Sequence, residues 1–172
     1  MSPSKSYVGP LSPEYALLGL LAQQPAHGYY LHQELARRLG QIWHINQSQT
    51  YSILNRLEQR GWVRGRLQEQ EGRPDRRLLE LTPTGRAQFE RWLQAPPGSS
   101  VRAIRVEFLT RLYFTRLFKP AQVETLLRRQ MVEVEAGLVR LQASRAAIPQ
   151  EEAFNRLGLE LRLNQLGRSG IG

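Results

Sequence analysis

The side chains that could do chemistry in this chain are mostly hydrogen-bonding ones. Between Asn46 and Gln59, Ser48, Gln49, Ser52, Asn55, Arg56 and Gln59 recur on one side of a 3.6-residue period, with Tyr51, Leu54 and Leu57 on the other. Amides, hydroxyls and guanidinium on one exposed helical face suit base edges: Asn and Gln pair bidentately with adenine, Arg with guanine. Downstream, Gly72-Arg73-Pro74-Asp75-Arg76-Arg77 puts three arginines within five positions on a turn shaped by Gly and Pro. That is phosphate-binding chemistry, or else a solvated tip. Directly after a polar helix, phosphate contact is the preferred reading.

Acid–base and metal chemistry is scarce by comparison. The chain has no cysteine, three histidines (His27, His32, His44) and a single aspartate, Asp75. No thiol nucleophile, disulfide framework or Cys-ligated metal is available. His27 and His32 are five residues apart, not four, and have no ligand set around them, so no metal site is expected. His27 is expected to bond locally at the turn that it occupies. With no nucleophile elbow or phosphate-binding glycine loop, an enzyme and a cofactor are not expected.

The 172 residues carry 24 Lys and Arg against 15 Asp and Glu, a net charge of +9. Such a charge favours a polyanionic partner. All but Lys5 and Lys119 of the basic residues are arginine, the better fork for phosphate and guanine. The charge is spread over both halves, so local arrangement must say where a polyanion binds. The longest apolar run, Ala16–Ala22, is far too short to span a bilayer, and it lies too far from a basic n-region and lacks a small-residue cleavage site for a signal peptide, so a cytoplasmic location is the expectation.

These groups need elements to hold them. Residues 1–11, rich in Ser, Pro and Gly, read as a flexible arm. Ser12 as N-cap and Pro13 at the first position open a helix to about Gln23, with Leu17, Leu18, Leu20, Leu21 and Tyr15 inward. A second helix runs from Gly28, with Leu31, Leu35 and Leu39 in one row, and stops at Gly40. Asn46 with Gln49 resembles a capping box opening the third helix, 47–60, which ends at Gly61. The period then changes to two over Val63–Leu67 and Leu78–Leu81, predicting a two-stranded hairpin. Thr82-Pro83 caps a fourth helix to about Gln94. Trp43, Trp62 and Trp92 read as core.

Ala95–Ser100 is the clearest linker. Beyond it helices are predicted over about 102–118, 120–146 and 150–166. Leu127, Met131, Val134, Leu138 and Leu141 are spaced 4-3-4-3, a coiled-coil-like seam. Phe154, Leu157, Leu161 and Leu166 line the last helix. The 127–141 seam could pack within the same chain, but a twofold partner is the commonest way to bury such faces, so a homodimer is expected through Leu127, Met131, Val134, Leu138, Leu141, Phe154, Leu157 and Leu161. The organisation is therefore an arm over 1–11, a first domain over 12–94, a linker over 95–100 and a helical dimerisation domain over 101–172. The class is mainly α, an N-terminal winged helix-turn-helix with a two-stranded β-wing followed by α-helices.

At this level the sequence resembles the PadR-like transcriptional regulators. Tyr15-Ala-Leu-Leu-Gly-Leu-Leu-Ala22 with Pro25-Ala-His-Gly-Tyr29 is similar to that family's first helix and turn. Tyr51-Ser-Ile-Leu-Asn-Arg-Leu-Glu58 before Gly61 is similar to its recognition helix. Gly72-Arg73-Pro74 is similar to its wing, and Leu79-Glu-Leu-Thr-Pro-Thr-Gly85 to its last strand and fourth helix. The resemblance implies a homodimeric repressor or activator on double-stranded DNA, with a repressor preferred, in some members responsive to a small hydrophobic effector. The residues expected at DNA are Asn46, Ser48, Gln49, Tyr51, Ser52, Asn55, Arg56, Arg73, Arg76 and Arg77. Tyr51 has two readings, a phosphate donor or plain core. The competing reading of the whole is a winged-helix adaptor for proteins, with only non-specific attraction to DNA.

Overall fold

The computed structural model describes residues 12–68, 76–96, 98–149 and 152–169. The expected arm, residues 1–11, lies outside them. The chain divides into two compact units, Met1–Ala95 and Pro96–Gly172.

The first unit is built around α1 (Glu14–Gln23). Ala16, Leu17, Leu18, Leu20 and Leu21 are all buried, so this helix is covered on nearly every side. It starts one residue later than expected. Pro13 is the capping residue and the Ser12 Oγ accepts the Glu14 N–H at 3.3 Å. Tyr15 is half-buried and stacks on Trp92, with ring centroids 4.8 Å apart and planes 5° from parallel. Trp43 and Trp92 are core residues, whereas Trp62 is half-buried.

Helix α2 (Gly28–Leu39) buries Leu31, Leu35 and Leu39, as their row predicts. Gly40 follows it in right-handed conformation, so the helix stops without a left-handed glycine; the Leu39 carbonyl accepts from both Ile42 and Trp43. Helix α3 (Gln47–Gln59) ends instead in a Schellman motif. Gly61 takes φ +68°, its N–H bonds the Glu58 carbonyl, and the Trp62 N–H reaches back to Leu57. A side chain at Gly61 would be strained there.

The predicted hairpin forms as β2 (Val63–Gln68) and β3 (Arg76–Leu81), paired antiparallel from Val63↔Leu81 to Gln68↔Arg76. The sheet around this two-stranded wing is larger than predicted, however. A short strand β1 (Ala26–His27) adds to the other edge of β3, giving the order β1-β3-β2. Two residues carry no readable period, so only the tertiary pairing reveals this strand. The alternation also fades outward: Val63 and Leu79 are buried, but Leu67 is 75% exposed where the ribbon leaves the core. Thr82 caps α4 (Pro83–Gln94), accepting the Gly85 N–H at 3.0 Å and donating to the Gly61 carbonyl at 2.7 Å. Gly85 is a close-approach glycine, since a Cβ there would lie 2.0 Å from the Trp62 carbonyl oxygen.

The second unit is helical in every described element. A π-helical segment, Ala103–Phe108, runs directly into α5 (Leu109–Phe118). A 3₁₀ turn, Pro120–Gln122, leads into α6 (Val123–Ala147), and α7 (Ala153–Ser169) follows. The inward row of α6 is Leu126, Gln130, Val134 and Gly137, which shares Val134 with the predicted seam and otherwise lies one position before it. Gly137 admits the 98–100 segment: a Cβ there would meet the Ser99 Cβ at 2.6 Å. The Gln130 side chain donates to the Gly98 carbonyl at 3.1 Å.

Candidate nucleic-acid interface

Helix α3 holds its polar face rigidly. The Asn46 Oδ1 accepts the Gln49 N–H, and the Gln49 Oε1 accepts the Asn46 N–H, both at 2.8 Å. This is the complete capping box that the sequence predicts. It also commits the two amides: their oxygens are used in the cap, leaving their NH₂ groups to donate outward. Replacing Asn46 by Ala should cost about 1 kcal/mol of stability. A urea-unfolding midpoint lowered with unchanged slope checks this.

The inner face of α3 differs from expectation by one position. Thr50, Ile53, Leu54 and Leu57 are buried, whereas Tyr51 is 41% exposed. Tyr51 is therefore not plain core. Its ring lies over Gly28, where a Cβ would come within 2.6 Å of the Tyr51 Cε1, so glycine at 28 makes room for it. Asn46, Ser48, Gln49, Ser52 and Asn55 are exposed beside it on one outward face.

Arg56 is the exception among these. Its Nε lies 3.4 Å from the Glu14 carboxylate and it donates to the Ser52 Oγ at 3.3 Å. Glu14 is buried in α1 and binds Arg60 more closely, at 2.8 Å. A buried carboxylate requires such partners. Arg56 thus helps to hold the helix on its support, a role that sequence spacing did not suggest.

The wing stem is also internally paired. Arg64 and Arg66 both bond the Glu80 carboxylate, at 2.5 and 2.6 Å. Arg77 donates to Glu58 of α3 at 2.7 Å. The backbone of Arg76 lies in β3 opposite Gln68. Arg73 and the rest of the predicted tip lie outside the described residues.

Between α2, α3 and β3 opens a cleft of about 770 Å³ whose walls include His27, Tyr29, Gln33, Tyr51 and Arg77. The Tyr29 hydroxyl accepts from Gln33 at 2.9 Å. The sequence carries no signal that singles out Tyr29 and Gln33, because only the structure shows that Tyr29 is exposed in this cleft. The histidines are placed by structure. His27 Nδ1 donates to the Arg77 carbonyl at 3.0 Å, a cross-strand bond rather than the local one expected. Thr50 gives its hydroxyl proton to the Asn46 carbonyl, so His32 Nδ1 is the donor to Thr50 at 3.0 Å. Among the described residues no group of three or more His, Asp or Glu is placed to hold a metal. No described helix is long and apolar enough to cross a membrane.

Three helices, a wing packed on the third, and a capped helix with its polar face outward define a winged helix-turn-helix. Residues 17–91 match the model of the Transcriptional regulator PadR-like family. A probable transcriptional regulator of Mycobacterium tuberculosis is 35% identical over 96 residues, covering 56% of this chain and 50% of that protein. The negative transcriptional regulator PadR of Bacillus subtilis is 28% identical over 134 residues, covering 76% of this chain and 71% of that one. The crystal structure of Bacillus subtilis PadR in complex with operator DNA is similar at 25% identity and TM-score 0.46, covering 91% of each chain. The match thus spans half the length of the mycobacterial relative.

Proposed function

We propose that this chain is a transcriptional repressor that binds a pseudo-palindromic promoter element as a homodimer. The carrying observation is the outward face of α3. A helix fixed by its own capping box presents Asn46, Ser48, Gln49, Tyr51, Ser52 and Asn55 together, with no apolar cover over them. Its first turn enters the major groove, where the free NH₂ groups of Asn46 and Gln49 donate to acceptor atoms. Arg56 stands at the margin of this face and steadies it through Glu14.

Arg73, Arg76 and Arg77 hold phosphates beside the groove, which fixes register without reading sequence. Met131, Phe154, Leu157 and Leu161 are exposed apolar residues of α6 and α7, the material of a twofold contact. Leu127, Leu138 and Leu141 are half-buried and flank it. Val134 leaves this set, because it is buried within its own unit. In this reading residues 12–94 are the DNA-binding domain, 95–100 a linker and 101–172 the dimerisation domain. A small hydrophobic effector would act by favouring a dimer whose two reading helices are wrongly spaced, a population shift.

The test is selection of random and genomic duplexes on the purified protein at about 150 mM salt, followed by sequencing. An enriched inverted repeat is expected. Binding without enrichment, lost as salt rises, would replace this reading by the protein-binding adaptor.

A further inference from the structure

Glu58 is the one carboxylate on α3, and it faces the wing. Its side chain is 15% exposed and binds the Arg77 Nη2 at 2.7 Å, whereas the Arg77 side chain is 58% exposed. The pair exists because of a glycine. Gly65 lies on β2, and a Cβ there would fall 2.3 Å from the Arg77 Nε and 2.8 Å from the Glu58 Oε1. Arginine crosses its neighbouring strand through that gap to reach the helix. The stem of the wing is thereby tied to the helix that carries the polar face.

We infer that Glu58 is a specificity-determining residue: through Arg77 it fixes the wing to α3 and withholds part of that arginine's charge from the DNA backbone. The inference rests on the DNA-binding reading above. A phosphate contact adds affinity for every sequence alike, whereas base contacts discriminate. A carboxylate that competes for a phosphate-binding arginine lowers affinity for unrelated DNA. The same carboxylate keeps the wing at one angle to the reading helix, which matters only where bases are read. Both effects raise the ratio of specific to non-specific binding.

The experiment compares the wild type, Glu58→Gln, Arg77→Gln and the double variant. Each is titrated with a random-sequence duplex and with the duplex enriched by selection, from about 50 to 200 mM salt. Releasing one arginine onto a phosphate should steepen the salt dependence on the random duplex by about 0.9 in log–log slope, which is on the order of fivefold in affinity at 150 mM. Glu58→Gln is expected to give this change with Arg77 present and not with Arg77→Gln. Affinity for the selected duplex should not rise in step, so discrimination falls.

Gly65→Ala keeps every charge but fills the gap between the pair. It should shift the slope in the same direction, and it carries the test if Glu58→Gln does not fold. Equal effects of Glu58→Gln in both Arg77 backgrounds would mean simple net charge and would overturn the inference. So would an unchanged slope in both Glu58→Gln and Gly65→Ala. A wild type that selects no sequence would overturn the DNA-binding reading and this inference together. Selection by the wild type with no Arg77-dependent change overturns the inference alone.

Discussion

Replacing Glu107 and Arg111 together, by Leu and Met, should leave the protein as stable or make it more so by about 1–4 kcal/mol, while Glu107→Leu alone should cost about 3–5 kcal/mol. Both side chains are almost fully buried in the second unit, at 4% and 1% exposure, and they are hydrogen-bonded one turn apart. Burial pushes the Glu107 carboxyl above the ordinary carboxylate range, against the pull of Arg111. Burial likewise lowers the Arg111 guanidinium, against the pull of Glu107. For each group, desolvation therefore outweighs the attraction of its partner. Such a pair is costly to keep and costlier to break, because a lone replacement leaves a cation buried without that carboxylate. The sign for pH follows. A carboxyl whose folded pKa lies above its unfolded value favours the folded state as it takes up its proton. This one should become less destabilising as pH falls through its folded value toward the unfolded one near 4.5. Thermal unfolding of the four proteins at neutral pH checks the cycle. An additive cycle, in which the double variant loses the sum of the single losses, would contradict it.

That pair was not legible in the sequence. Glu107 and Arg111 sit four apart on a predicted helix, a spacing that ordinarily means a solvated surface pair. Only the packing around the π-helical segment puts them inside. Elsewhere, legibility followed the range of the interactions. The Asn46–Gln49 box, the Gly61 stop and the Thr82-Pro83 start are local chemistry, and each formed where the residues placed it. The third strand, Ala26–His27, depends on β3 some fifty residues away and has no local signature. The inward face of α6 was not legible for a related reason. A 4-3-4-3 row marks an apolar stripe, but Gln130 and Gly137, not Met131 and Leu138, face inward because the 98–100 segment needs a small residue and a donor there. At the candidate interface, the polar residues of α3 were readable from their period. What was not readable is how many are already engaged: Arg56 with Glu14, Arg77 with Glu58, and the Asn46 and Gln49 oxygens with each other. Ion pairs between elements set how much charge a basic surface can offer, and a list of arginines overstates it.

The apolar residues that α6 and α7 leave uncovered bear directly on assembly, and there the largest functional effect is expected. If the proposed homodimer forms through α7, changing Leu157 and Leu161 together to Glu should convert it to a monomer and lower affinity for a selected inverted repeat by about 10²–10⁴-fold. Phe154, Leu157 and Leu161 recur at intervals of three and four on α7, with 89%, 53% and 55% of their surfaces exposed. The same helix buries Leu159 and Leu166 within its own unit, so its two apolar faces have separate uses. Carboxylates on the exposed face should spare the fold and abolish the contact, since like charges would meet across a twofold axis. The loss at DNA follows from valency. One recognition helix on one half-site binds weakly, and the second half-site is held at high effective concentration only while the subunits stay joined. Sedimentation equilibrium, with duplex titration at fixed salt, measures both steps. A monomer that keeps full affinity would remove the need for a partner. A dimer that survives both substitutions would move the interface to another face. Binding to a single half-site should change little, and this separates lost assembly from a damaged reading helix.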